Sequence, residues 1–180
     1  MVYLFLGTGF EEVEAIAPLD LLRRAGAEVK TVGLNGATVY GGHGIGVACD
    51  MEIADLDLND AEMVIIPGGL GGVASIRACG KAMEALKTAW DRGLYVAAIC
   101  AGPTVLADLG ITDGKNATCY PGCESGMGSA NMIPGAPCVR DGKLITGTSA
   151  GCAIAFGLML VEALKGPDAA EKIRQQIVIR

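Results

Sequence analysis

Four short, almost wholly apolar runs, Val2–Leu6, Val29–Val32, Met63–Ile66 and Tyr95–Ile99, recur along the chain, and helix-like patterns fall at Glu11–Ala25, Lys81–Arg92 and Gly102–Leu109. Runs of this length without polar alternation are strands buried on both faces. Strands alternating with helices lead to a parallel sheet whose crossovers cover it, the α/β class. Gly26, Gly93 and Gly110 fall where a helix ends on a left-handed residue, so the boundaries support the same topology. A glycine-rich stretch from Tyr40 to Gly46 reads as a hairpin after the second strand. Asn116–Gly147 reads as irregular, with short strands around Arg140–Lys143. Two further helices, Gly151–Leu164 and Ala169–Gln176, close the chain.

At 180 residues and 51% hydrophobic content the chain forms one domain, 1–180. A net charge of −6, with no basic cluster larger than Arg23-Arg24, repels phosphate backbones and anionic lipid, which argues against nucleic acid as a partner. The opening MVYLFLGTGF lacks a basic leader, and Glu11, Glu12 and Glu14 follow at once, so it reads as a first strand. No charge occurs between Leu144 and Val161, yet Gly147, Ser149, Gly151 and Gly157 interrupt that run. It reads as core, a membrane span being the alternative. Seven cysteines in no framework spacing fit a reducing compartment, and the cytoplasm is the expectation. Cys119 and Cys123 are spaced C-x3-C, but zinc frameworks pair C-x2-C units, so no metal is expected.

AAICAGP, residues 97–103, places Cys100 where a buried strand gives way to a helix opened by Pro103. Ala98 and Gly102 are the small neighbours that a crowded nucleophile elbow requires. A helix N-terminus would favour thiolate and hold the cysteine below its usual ~8.5. The alternative is an inert core cysteine. Glu14 lies near the apolar stripe of the first helix and is either a site carboxylate or an ordinary first-turn acid. PGGLGG, residues 67–72, follows the third strand, where Gly68 and Gly69 would bring backbone N–H groups to the sheet's carboxyl edge or simply supply a turn. No G-K-[ST] follows and GTGFEE lacks the third glycine, so neither a P-loop nor a dinucleotide fingerprint is present.

FEEVEAIAPLDLLRRAG (10–26), VIIPGG (64–69), VAAICAGP (96–103) and FGLMLVEALKG (156–166) together resemble the DJ-one/ThiJ/PfpI family over nearly the whole chain, most weakly between Thr112 and Cys152. The resemblance implies a flavodoxin-like three-layer sandwich, a reactive cysteine at Cys100, and a partner glutamate at Glu14. It also implies an anion-facing cradle from the N–H groups of Gly68 or Gly69 and Ala101, and a homodimer. It implies a cofactor-independent enzyme acting on small reactive carbonyls or on glycated protein, of glyoxalase or deglycase type. A redox-responsive stress protein without turnover is the alternative, and an amidase or peptidase the third reading. Where the peptidase-like branch has histidine after the cysteine this chain has Ala101, and where the deglycase branch has histidine it has Tyr120. His43, the only histidine, falls near a family arginine. A second family arginine is absent from TGTSAGC, leaving Thr148 and Ser149. Cys119 or Cys123 would be the resolving partner for an oxidised Cys100.

Overall fold

The computed structural model describes residues 1–179. The chain runs from β1 (Val2–Leu6) through α1 (Glu12–Arg24) to β2 (Val29–Gly33), then through a hairpin of β3 (Thr38–Tyr40) and β4 (Gly46–Ala48) to a two-residue edge strand, β5 (Met51–Glu52). After β6 (Met63–Ile66) come α2 (Leu70–Ala78) and α3 (Gly80–Asp91), and after β7 (Tyr95–Ile99) the short α4 (Pro103–Asp108). The two-residue strands β8 (Asn116–Ala117) and β9 (Asn131–Met132) precede the hairpin of β10 (Cys138–Asp141) and β11 (Leu144–Gly147). Helices α5 (Ala153–Lys165) and α6 (Pro167–Gln176) complete the fold.

Seven strands form the central sheet in the order β10-β11-β7-β6-β1-β2-β5, parallel throughout except between β10 and β11. Side chains alternate faces along a strand, and here each face has its own core. Val2, Leu4 and Leu6 of β1 pack with Leu19, Leu22 and Phe156 beneath α1 and α5. Tyr3 and Phe5 pack with Ile76, Leu86 and Leu106 beneath α2, α3 and α4. That split explains why the strands carry no polar alternation. The result is a flavodoxin-like three-layer sandwich. Because β2 and β6 lie on opposite sides of β1, the connections leaving β1 and β6 diverge, and a crevice opens at the carboxyl edge between them.

The four principal strands and the helices after β1 and β7 fall within a residue or two of the sequence reading. Helix α2 was not expected. Its segment LGGVASIRA has two glycines that weaken intrinsic helix propensity, but those glycines let the helix lie directly on the loop after β1. A Cβ on Gly72 would stand 2.7 Å from Phe10 Cα and 3.0 Å from Phe10 N. A 3-10 turn, Ala150–Cys152, precedes α5, which therefore starts at Ala153 and not at Gly151. The charge-free run from 144 to 161 is divided among β11, that turn and α5. No described helix is long and apolar enough to cross a membrane.

Gly72→Ala is expected to destabilise the fold by about 1–3 kcal/mol, because the new methyl meets immovable backbone. Gly80→Ala, with nothing within 4 Å of its Cβ, is expected to be neutral or slightly stabilising. Urea denaturation midpoints of the two variants check the contrast.

Candidate active site

Cys100 has φ +65, the left-handed region that costs a side chain of its kind about 1–3 kcal/mol. The strain is held by bonds from separate segments. The Cys100 N–H donates to the Gly147 carbonyl at 2.9 Å, Tyr120 N–H donates to the Cys100 carbonyl at 2.8 Å, and Gly102 N–H closes the turn onto Ile99 at 2.9 Å. A Cβ on Gly102 would stand 2.9 Å from the Ile99 carbonyl and 3.1 Å from that of Pro67, so only glycine passes there. The thiol consequently projects from the end of β7 into the crevice beside β6.

Glu14 reaches the same point from α1. Glu11 caps the helix by accepting the Glu14 N–H at 2.7 Å, which sets Glu14 in the first turn with its side chain directed inward and fully buried. Its Oε2 accepts the Gly68 N–H at 2.8 Å. Its Oε1 is buried and meets no donor in good geometry, although the thiol of Cys100 and the N–H of Ala150 lie within reach. A Cβ on Gly68 would stand 2.6 Å from both Cys100 Cβ and Glu14 Oε2. The absence of that one carbon lets acid and thiol meet.

Burial pushes Glu14 up to about 6, despite the hydrogen bonds from Cys100 and Gly68 that favour its charged form. Burial also pushes the Cys100 thiol up, to about 12, and the negative charge and hydrogen bond of Glu14 add to the rise. N–H groups of Ala101 and Gly69 approach the sulfur and pull the other way without prevailing. The sequence expectation of a depressed thiol is therefore corrected. Helix α4 has only six residues and begins three residues beyond Cys100, so its dipole is too small to offset a buried carboxylate. The negative charge of either group disfavours that of the other, so the pair holds one negative charge in preference to two.

The remaining candidates sit differently. Gly68 spends its N–H on Glu14, whereas Gly69 and Ala101 direct theirs at the sulfur. The Tyr120 ring is half exposed, and only its backbone bonds Cys100. His43 occupies the β3–β4 loop with its side chain 75% exposed. Its N–H donates to Glu12 Oε1 at 2.7 Å and its Nδ1 lies 2.8 Å from Glu12 Oε2. Among the described residues it makes no hydrogen bond to Cys100. Glu12 raises the His43 pKa; burial alone would raise Glu12 too, but the bonds from His43 outweigh it and hold that carboxyl low. Glu11, Glu12 and His43 are close enough to gather round a cation, yet Glu11 and Glu12 already accept bonds from Glu14 and His43. Thr148 donates to the Ala136 carbonyl at 2.6 Å and pairs with Thr118, and Ser149 lies against Cys152. Sequence reasoning missed Glu12 and Ala150. The signal for Glu12 was the glycine pair before His43, since Gly41 has no room for a side chain against the Glu12 carboxyl.

A cysteine on a strained strand-to-helix turn, paired with a buried glutamate at the carboxyl edge of a flavodoxin-like sheet, defines a class of cysteine-elbow α/β proteins. Within that class, residues 1–163 match the model of the DJ-1/PfpI family, and the chain belongs to it. The crystal structure of Drosophila melanogaster DJ-1beta superposes with a TM-score of 0.95 at 32% identity, covering 99% of this chain and 97% of that one. The oxidized form of Toxoplasma gondii DJ-1 gives 0.93 at 31%, covering 98% and 97%. A glutathione-independent glyoxalase of Caenorhabditis elegans, DJR-1.2, is 31% identical over 171 residues, 94% of this chain and 90% of the relative.

Glu14→Gln removes the charge that raises the thiol, so Cys100 is expected to ionise at lower pH than in the wild type. Iodoacetamide labelling of Cys100 as a function of pH, read by peptide mapping, checks the direction. An unchanged or higher midpoint would show that the carboxyl, and not the sulfur, carries the shared proton.

Proposed function

We propose that the protein is a cofactor-independent glyoxalase, converting small reactive 2-oxoaldehydes to 2-hydroxy acids through Cys100. The observation that carries this reading is a strained, partly exposed thiol set across Gly68 from a fully buried carboxyl, which burial raises to about 6. A base whose pKa lies near neutrality is what repeated proton transfer requires. Glu14 accepts the thiol proton, and the sulfur adds to the aldehyde carbon to give a hemithioacetal. The N–H groups of Gly69 and Ala101 face the oxyanion. Glu14 returns the thiol proton to that oxyanion and, as carboxylate again, moves the proton from the former aldehyde carbon to its neighbour while the hydroxyl proton passes to the neighbouring oxygen; water then cleaves the resulting thioester to the hydroxy acid and restores the thiol. Each hydrogen lost from one carbon is returned to the other, so no electron carrier enters. The relationship to a named glyoxalase supports the reading. Glycated protein is a second source of the same carbonyl chemistry.

A redox-responsive role without turnover is the second reading. It is favoured by the absence of an imidazole at Ala101 and Tyr120 and by the likeness to an oxidized DJ-1. The sulfur would carry added oxygens, with protonated Glu14 and the two N–H groups as their donors. An amidase role lacks its base, because His43 is committed to Glu12.

We also propose a homodimer in which a second copy walls the site. Val13, Ile16 and Ile45 are exposed, and an apolar groove of about 510 Å³ runs between them beside Glu12. A second copy of this chain would bury that face, because a two-fold axis sets the same apolar patch of each copy against the other. Seven free cysteines support a reducing, cytoplasmic setting.

Cys100→Ala and Glu14→Ala are both expected to abolish methylglyoxal loss and lactate formation. His43→Ala is expected to lower turnover by no more than about tenfold, or about 1.4 kcal/mol. Full activity in Glu14→Ala would overturn the assignment of the base. Wild type lacking lactate formation but gaining two oxygens on Cys100 with dilute peroxide would establish the redox reading. Val13→Glu is expected to yield a monomer by sedimentation velocity, where the wild type sediments as a dimer.

A further inference from the structure

Two thiols outside the catalytic pair lie on a segment bonded to it. Tyr120, Pro121, Gly122 and Cys123 form a reverse turn in which the Cys123 N–H donates to the Tyr120 carbonyl at 2.9 Å. Proline in second place and Gly122 at φ +95 in third make it type II. The Glu124 carboxylate fastens the turn by accepting the Gly122 N–H at 2.7 Å. Cys119 and Cys123 bracket this turn. Both side chains pack at one small core with Ala117 and Met127, and Cys123 also touches the larger core beneath α2, α3 and α4. A recess of about 170 Å³ between Pro121, Glu124 and Met132 reaches Cys119, which is otherwise buried. Cys123 is only partly buried. Burial raises the Cys119 thiol to about 11, and the charges of Glu124 and Cys123 contribute.

We propose that Cys119 and Cys123 form a peroxide-driven disulfide across this turn, a redox site distinct from Cys100. A hydroperoxide oxidises the Cys123 thiol to a sulfenic acid and is itself reduced to water or an alcohol. The Cys119 sulfur then attacks the Cys123 sulfur; the S–O bond breaks, and hydroxide leaves with the Cys119 proton as water. Two electrons pass from the thiol pair to one peroxide. A disulfide requires its Cα atoms within roughly 4.4–6.8 Å; the turn brings the Cα atoms of Tyr120 and Cys123 within about 7 Å of each other, and Cys119 stands one residue before it. Proline and the Glu124 bond pre-order the turn, so closing it costs little chain entropy. Because Tyr120 also holds the Cys100 carbonyl, the bridge forms on a segment fastened to the elbow.

The test uses the Cys100→Ser protein, so that its outcome does not depend on the proposed activity, with wild type mapped in parallel. Treated with one equivalent of hydrogen peroxide, the variant is expected to lose two of its six thiols, seven less the one replaced, and two hydrogens of mass. The bridge is expected within the tryptic peptide 116–140, joining Cys119 to Cys123 with Cys138 still alkylated, and dithiothreitol is expected to restore both thiols. Adding Cys123→Ser is expected to abolish the bridge. Continued alkylation of Cys119 and Cys123 after peroxide would overturn the proposal. So would a bridge from Cys138 to Cys152, which would instead link peptides 116–140 and 144–165.

Discussion

The contact between the Cys100 thiol and the Glu14 carboxyl, closed across a glycine without a side chain, is the constraint on which the carboxyl edge depends. Neither group can lose its proton without regard to the other. Burial disfavours both charges, and two charges side by side are disfavoured further. The surrounding backbone is arranged for one negative charge at a time: Gly68 donates to Glu14, Gly69 and Ala101 face the sulfur, and Glu14 Oε1 is left for a proton. The positive φ at Cys100 follows from the same requirement, since an extended residue there would carry the side chain along the strand and away from the acid.

Much of this was legible because it depends on chain geometry. Strands buried on both faces must read as unbroken apolar runs, and β1, β6 and β7 do so to the residue. The elbow announced itself by a cysteine between Ala98 and Gly102, because only small residues fit a turn this tight. Helix α2 stayed hidden because its glycines oppose helix propensity, and their reason, close approach to the loop after β1, exists only in the assembled fold. The thiol's pKa was misjudged for a similar reason. A helix terminus can be read from a line of sequence, whereas the depth of burial and the carboxylate brought in from α1, 86 residues away along the chain (100 − 14), cannot.

Two acids two residues apart in α1 meet different fates, and this separates the site from its surroundings. Glu12 is buried yet held ionised, because His43 presents both its N–H and its ring to the two oxygens. Glu14 is buried with a single strong donor, and its carboxyl rises. The chain thus uses its one histidine to fix the β3–β4 loop over the start of α1. The imidazole holds the scaffold, and the carboxyl with no such partner is the one that burial raises toward neutrality.

Desolvation here does what residue type does elsewhere. An imidazole titrates near neutrality without help, while a carboxyl must be raised into that range by removing water and donors. For Glu14 the loss of water decides: its side chain is fully buried, and the hydrogen bond from Gly68 does not outweigh that burial. The same burial keeps the thiolate scarce, so in the proposed reaction the sulfur would be nucleophilic only while Glu14 holds its proton. Under the proposed function such a site would take an electrophile small enough to enter between Gly69, Ala101 and the acid. It also couples the availability of the nucleophile to the availability of the proton that the reaction must next deliver.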